Sequence, residues 1–125
     1  MDDSEFPFER LEVFQLATQL APIIQAIVRR LPPGYGDLRD HIRRSERSIR
    51  LNISEGSGKR PARMKAARYD TARASANECA AALAEVRLFR LADERQINEA
   101  DALLRRITRM LTRLIQRWDP EGRFG

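Results

Sequence analysis

The sequence is poor in the side chains that carry most enzymatic and metal chemistry. Among its 125 residues there is a single cysteine, Cys79, and a single histidine, His41. One cysteine excludes an internal disulfide and a cysteine-based metal site. No serine or cysteine stands at a spacing that would pair it with His41, and the acidic residues are scattered. We therefore expect no enzymatic activity, no catalytic residue, no metal site and no cofactor.

Aromatic residues and long apolar runs are also scarce. Phe, Trp and Tyr make up 6% of the chain, which argues against a surface that stacks the bases of single-stranded nucleic acid. No apolar run approaches the ~20 residues of a membrane-spanning helix. The acidic start MDDSEF is unlike a signal peptide, which begins with basic residues. We expect a cytoplasmic protein with no membrane partner.

The sequence is rich in helical periodicity. Apolar residues recur every three or four positions over about residues 8–30, 37–56, 61–91 and 94–118, and no segment alternates as a strand does. The connections between these segments are short, which favours antiparallel neighbours. The pattern predicts an all-α fold, an antiparallel up-down four-helix bundle, with residues 1–125 forming one domain.

The turn SEGSGKRP, residues 54–61, has the composition of a phosphate-binding loop. A P-loop, however, would need glycine at position 53 and serine or threonine at position 60, where Ile53 and Arg60 stand. We interpret the turn instead as a helix connection. Gly56 is expected to end the second helix in a left-handed conformation, and Gly58 to allow the chain reversal.

Basic residues dominate the charge. The net charge is +5, which favours anionic partners such as nucleic acid. Four arginines of the second helix fall within about 80° of each other around its axis, and three more cations flank the start of the third helix, where anions are favoured. The alternative is a solvated face balanced by Asp40 and Glu46. The candidate nucleic-acid-binding residues are Arg39, Arg43, Arg47, Arg50, Lys59, Arg60 and Arg63.

A second polar stripe follows the same helix beside its apolar face. Steps of four, four and three residues place Arg44, Ser48, Asn52 and Glu55 together. Buried polar groups need hydrogen-bond partners, and Ser75 and Glu78 of the third helix are candidates. We assign these six residues to packing between helices or between subunits.

The stretch RRSERSIRLNISEGSGKR, residues 43–60, resembles the signature of the four-helix-bundle proteins encoded in intervening sequences of bacterial 23S ribosomal RNA. That signature reads approximately R-R-A-x-x-S-I-x-x-N-I-A-E-G-x-G-R. The resemblance extends over about residues 8–115, and Lys65 is among its departures, because the family has Phe there. The matching residues of the signature are Arg43, Arg44, Ser48, Ile49, Asn52, Ile53, Glu55, Gly56 and Gly58.

The resemblance implies a homopentamer without known catalytic activity. It also implies kinship with the basic pentameric accessory protein of diversity-generating retroelements, which binds nucleic acid and a reverse transcriptase. Together with the arginine excess, it leads us to expect a non-enzymatic, homo-oligomeric bundle that binds structured RNA or another nucleic acid. The alternative is a scaffold that binds another protein and has no nucleic-acid ligand.

Overall fold

The chain forms four long helices. The computed structural model describes residues 6–123, and within this range the helices are α1 (Glu12–Arg30), α2 (Gly36–Ser57), α3 (Ala62–Leu88) and α4 (Glu94–Trp118). A short 3-10 helix, Pro7–Arg10, precedes α1. No strand occurs among the described residues. This confirms the predicted all-α class.

The helices pack as a four-membered bundle. Each helix contacts the next along the chain, and α1 also contacts α4. Between α2 and α3, Ser48 contacts Ser75 at 2.7 Å, and Gly56, later in α2, lies against Tyr69, earlier in α3. This descending order of contacts is that of antiparallel neighbours. The same order joins α3 to α4 through the pairs Arg73–Thr112 and Arg87–Asp101.

The core lies along the inward faces of all four helices. In α2 the predicted apolar stripe is buried, and α4 contributes larger aliphatic side chains at helical spacing. The inward face of α3 is built largely from small residues, which let neighbouring helices approach closely. The buried residues on which this packing depends include Leu38, Ile42, Ile49, Ile53, Ala72, Ala76, Cys79, Ile107 and Leu111.

Two helix ends differ from the prediction. The first α-helix was expected from about residue 8 but begins at Glu12, because Leu11 is extended and separates it from the 3-10 helix. The third was expected to reach residue 91 but ends at Leu88. There Arg90 takes a left-handed φ of 55°, and the Leu91 N–H bonds the Val86 carbonyl at 3.0 Å. This closure satisfies carbonyls of the last turn and stops the helix.

The expected conformation of the glycine turn was wrong. Among the described residues only Gly34, Gly122 and Arg90 have positive φ, so neither Gly56 nor Gly58 is left-handed. Gly56 lies inside α2 and is buried. A Cβ at this position would lie 2.7 Å from a carbon of the Tyr69 ring, so glycine is required here by packing against α3 rather than by backbone conformation.

Candidate nucleic-acid interface

The four arginines predicted on one face of α2 do not have the same surroundings. Arg39 is half-buried and donates to the carbonyl oxygen of Leu31, which caps α1, at 2.8 Å. Arg50 is also half-buried and donates two hydrogen bonds to the carboxylate of Glu46, one of them at 3.1 Å. Both guanidinium groups therefore have partners within the bundle.

Arg43 and Arg47 remain available to a ligand. Both are exposed, and neither has a hydrogen bond or ion pair with any part of the chain that the structure describes. They are four residues apart, so their side chains leave α2 on one side, about 6 Å apart along the axis. An acceptor-rich anion could contact both without breaking an existing interaction.

The turn between α2 and α3 presents three more of the predicted cations. Lys59 and Arg63 are exposed and have no ion pair within residues 6–123. Arg60 lies 3.7 Å from the carboxylate of Glu55, which also pairs with Arg68 at 3.2 Å. These groups surround the N-terminus of α3, where backbone N–H groups without helical partners favour an anion. The turn and the Arg43–Arg47 face together form the basic surface of α2.

Charge is distributed unevenly around the bundle. Arg39 contacts the cap of α1, which places the arginine side of α2 toward α1. On the other flank of α1, Arg106 of α4 lies 3.9 Å from Glu12, and further α4 arginines are exposed. The outward face of α3, by contrast, presents exposed Glu78 and Glu85. Of the other α4 arginines, Arg105 and Arg109 line the groove toward α3, so exposed cations lie on more than one side of the bundle.

A family model described as 23S rRNA-intervening sequence protein matches residues 9–113. The chain belongs to this family. The match spans the bundle from before α1 to within α4 and confirms the resemblance seen in residues 43–60. No curated protein matches the chain significantly in sequence.

In this 23S rRNA-intervening sequence family member, half of the second polar stripe forms one connected cluster. Ser48 exchanges a 2.7 Å hydrogen bond with Ser75, and the Asn52 amide donates to the Ser48 carbonyl at 2.9 Å and its hydroxyl at 3.1 Å. The Ser48–Ser75 bond joins α2 to α3, and Asn52 supports Ser48 from within α2. Glu55 is exposed and lies outside this cluster, but its ion pair with Arg68 at 3.2 Å is a further contact between α2 and α3. Arg44 and Glu78 are exposed and have no hydrogen bond or ion pair within the described residues.

Sequence reasoning missed two buried charges. Glu46, taken as part of a solvated face, is buried and pairs with Arg50, and Lys65 is buried against α2 and α4. A helical projection contains the signal for Glu46, because it falls about 60° from Ile49, at the edge of the apolar stripe. No pattern in the sequence indicated Lys65, whose surroundings come from three separate segments of the chain.

Cys79 and His41, the single cysteine and the single histidine, lie in different environments. Cys79 is fully buried, and burial raises the pKa of its thiol from 9.0 to about 12, so the thiol stays protonated at neutral pH. His41 is exposed in a groove beside Arg44 and Glu85. Within residues 6–123 no cluster of His, Cys, Asp and Glu could hold a metal ion. No helix in that range is long and apolar enough to cross a membrane.

Proposed function

We propose that this chain is a non-enzymatic, homo-oligomeric four-helix-bundle protein that binds structured RNA through the basic surface of α2. The observation that supports it most directly is the set of exposed cations without carboxylate partners in the described range: Arg43, Arg47, Lys59 and Arg63. Like charges held together on one surface repel, and phosphate groups would relieve that repulsion. The family description, which refers to 23S rRNA, favours RNA as the nucleic acid.

The proposed contacts are mainly to phosphates. Arginine and lysine bind phosphate oxygens by charge-assisted hydrogen bonds, and these contacts carry little sequence information. Few aromatic residues are present, so stacking on unpaired bases contributes little. Binding should therefore follow the shape of a folded RNA and weaken steeply with salt.

Assembly of several copies is the second part of the proposal. The outward side of α2 and α3 carries an exposed apolar residue, Leu51, two exposed alanines, Ala74 and Ala81, and the oppositely charged Arg44 and Glu78. Complementary charges beside small apolar residues suit contact with another copy. A homopentamer would give a mass about five times the 14.4 kDa of one chain in light scattering. A light-scattering mass equal to that of a single chain would contradict the proposed assembly.

The test of RNA binding compares two charge-matched double variants. We expect Arg43→Gln/Arg47→Gln to weaken binding of a folded RNA hairpin by about five- to tenfold in fluorescence anisotropy, and to reduce the salt slope by about 1.5 to 2. The control, Arg90→Gln/Arg95→Gln, removes two exposed cations at the turn between α3 and α4. Equal losses in both variants would contradict a localised surface.

The scaffold alternative has one structural observation in its favour. Leu88 and Phe89, at the end of α3, are 73% and 53% exposed, and exposed apolar side chains suit a protein partner. Absence of binding to every RNA and DNA tested at low salt would exclude the RNA proposal and leave the scaffold.

A further inference from the structure

A cavity of about 210 Å³ opens at the end of the bundle where α2 meets α3. The 3-10 helix, the end of α2, the start of α3 and the end of α4 all contribute to its wall. Its apolar lining includes Leu11 and Leu114, and its polar lining includes Lys65, Tyr69 and Arg117. The wall contains two cations and no carboxylate, so its charge is unbalanced.

Lys65 is the first unusual feature of this cavity. Its residue is only 8% exposed, although lysine is almost never buried without a counter-ion. The ammonium donates one hydrogen bond, to the Gly58 carbonyl at 2.8 Å, and lies 4.8 Å from the centre of the Trp118 ring. Burial lowers the pKa of Lys65, and the positive charge of Arg60 lowers it further. An anion in the cavity would offset both effects.

Tyr69 is the second and independent feature. It is 2% exposed, yet its hydroxyl has no hydrogen-bond partner in the part of the chain that the structure describes. The ring is held in place against Gly56, where a side chain would clash with it. Burial raises the pKa of Tyr69, while the charge of Arg117 acts in the opposite direction. Among the described residues the one fully buried side-chain polar atom without a partner is Gln96 Oε1, so the Tyr69 hydroxyl reaches the cavity and not the closed core. It is therefore free to donate to a ligand in the cavity.

The free groups of the wall define the chemistry of that ligand. The Ser57 hydroxyl already donates to the Ser54 carbonyl at 2.7 Å. The free donors are therefore the remaining ammonium protons of Lys65, the Tyr69 hydroxyl and the guanidinium of Arg117. Such donors require an acceptor-only group, and two positive charges match a dianion, for which arginine provides a planar fork.

We propose that the cavity binds the phosphate of a phosphate monoester, held by Lys65, Tyr69 and Arg117. The phosphate comes either from the end of an RNA chain or from a small free phosphate compound. Only the first source rests on the proposed RNA binding. In both cases the phosphate would bind at the mouth of the cavity, between buried Lys65, the Tyr69 ring held against Gly56, and exposed Arg117.

Calorimetric titration with inorganic phosphate tests the cavity without RNA. We expect saturable binding by the unmodified protein, and at least about tenfold weaker binding by Lys65→Met and by Tyr69→Phe, since one charge-assisted or buried hydrogen bond is worth roughly that factor. Tyr69→Phe keeps the ring against Gly56 and removes an unpartnered hydroxyl, so the fold is retained. Arg95→Gln removes an exposed cation at the turn between α3 and α4, outside both the cavity and the basic surface of α2, and should bind phosphate as before.

Two versions of one RNA hairpin, with a 5′-phosphate and with a 5′-hydroxyl, separate the sources. If the protein prefers the phosphorylated hairpin and Tyr69→Phe abolishes this preference, the source of the phosphate is the RNA end. If the protein binds inorganic phosphate but does not prefer the phosphorylated hairpin, the source is a small free phosphate compound. No saturable phosphate binding together with no preference would overturn the inference, as would a loss of binding in Arg95→Gln as large as that in Lys65→Met. Phosphate binding without any RNA binding would leave the inference standing and remove the proposed function.

Discussion

Gly56 lies inside α2 at a point where the Tyr69 ring leaves no space for a side chain. A Cβ there would meet three ring carbons at 2.7 to 3.0 Å. The ring itself is buried, so it cannot move away at little cost. Glycine normally weakens a helix interior by roughly 0.5–1 kcal/mol relative to alanine. At this residue, close contact between α2 and α3 outweighs that local cost.

Gly56→Ala should therefore destabilise the protein. Overpacking in a well-packed core costs roughly 1–3 kcal/mol, which exceeds the gain in helix propensity. Urea unfolding followed by circular dichroism measures the change. Gly36→Ala is the matched control, because no atom lies within 4 Å of a Cβ there, and its stability should stay within about 0.5 kcal/mol of the unmodified protein. A stabilised Gly56→Ala variant would contradict the packing role of this glycine.

The pairing of α2 with α3 depends on polar as well as apolar contacts. Both the Ser48–Ser75 hydrogen bond and the bonds from Asn52 lie at the seam between these helices. Ser75 is buried, so an unpaired hydroxyl there would carry a desolvation cost. On the other side of α2, Arg50 and Glu46 pair within the helix itself, and breaking this pair would leave a buried carboxylate alone.

A double-mutant cycle measures the hydroxyl contact between these two helices. Ser75→Ala should lower the free energy of unfolding by about 1 kcal/mol, and Ser48→Ala by more, because it also removes an acceptor of the Asn52 amide. The double variant should lose little more than Ser48→Ala alone, because the bond between the two hydroxyls is already lost in each single variant. Folded RNA should bind all variants with unchanged affinity. Additive losses of stability would show that the two hydroxyls do not interact in solution, and a parallel loss of RNA binding would move this cluster into the nucleic-acid surface.

The unpaired cations of α2 and the exposed carboxylates of α3 lie on different parts of the molecule. Unpaired cations of α2 face the α1 side, whereas Glu78 and Glu85 lie on the outward face of α3. Axes of packed helices lie ~8–10 Å apart, and the two sets of side chains point to different sides. Their separation therefore exceeds the screening length of about 8 Å at physiological salt.

Local rather than total charge should control RNA affinity. Glu78→Gln/Glu85→Gln changes the net charge of +5 by two units, the same amount as Arg43→Gln/Arg47→Gln but with opposite sign. We expect less than about a twofold change in RNA affinity at 0.15 M salt. Anisotropy titrations with one hairpin compare the variants directly. An increase as large as the loss in the arginine variant would show that net charge, and not the surface of α2, controls binding.

The sequence by itself determined the fold class and the order of the helices. Apolar residues at helical spacing, such as Ile42, Ile49 and Ile53, are a local pattern, and burying them against neighbouring helices is the way to remove them from water. The arginine face of α2 and the family signature are also local patterns. Both can be recognised in the sequence without knowing how the helices pack against each other.

Only the tertiary structure decided which polar residues are free and which are used. Arg39 and Arg43 look alike on a helical projection, but only Arg39 reaches the Leu31 carbonyl. The burial of Lys65 and the packing of Tyr69 on Gly56 arise where segments distant in the chain meet. Hydrogen bonds, burial and the pKa of a side chain depend on all neighbours in space, and spacing along one helix records only the neighbours on that helix.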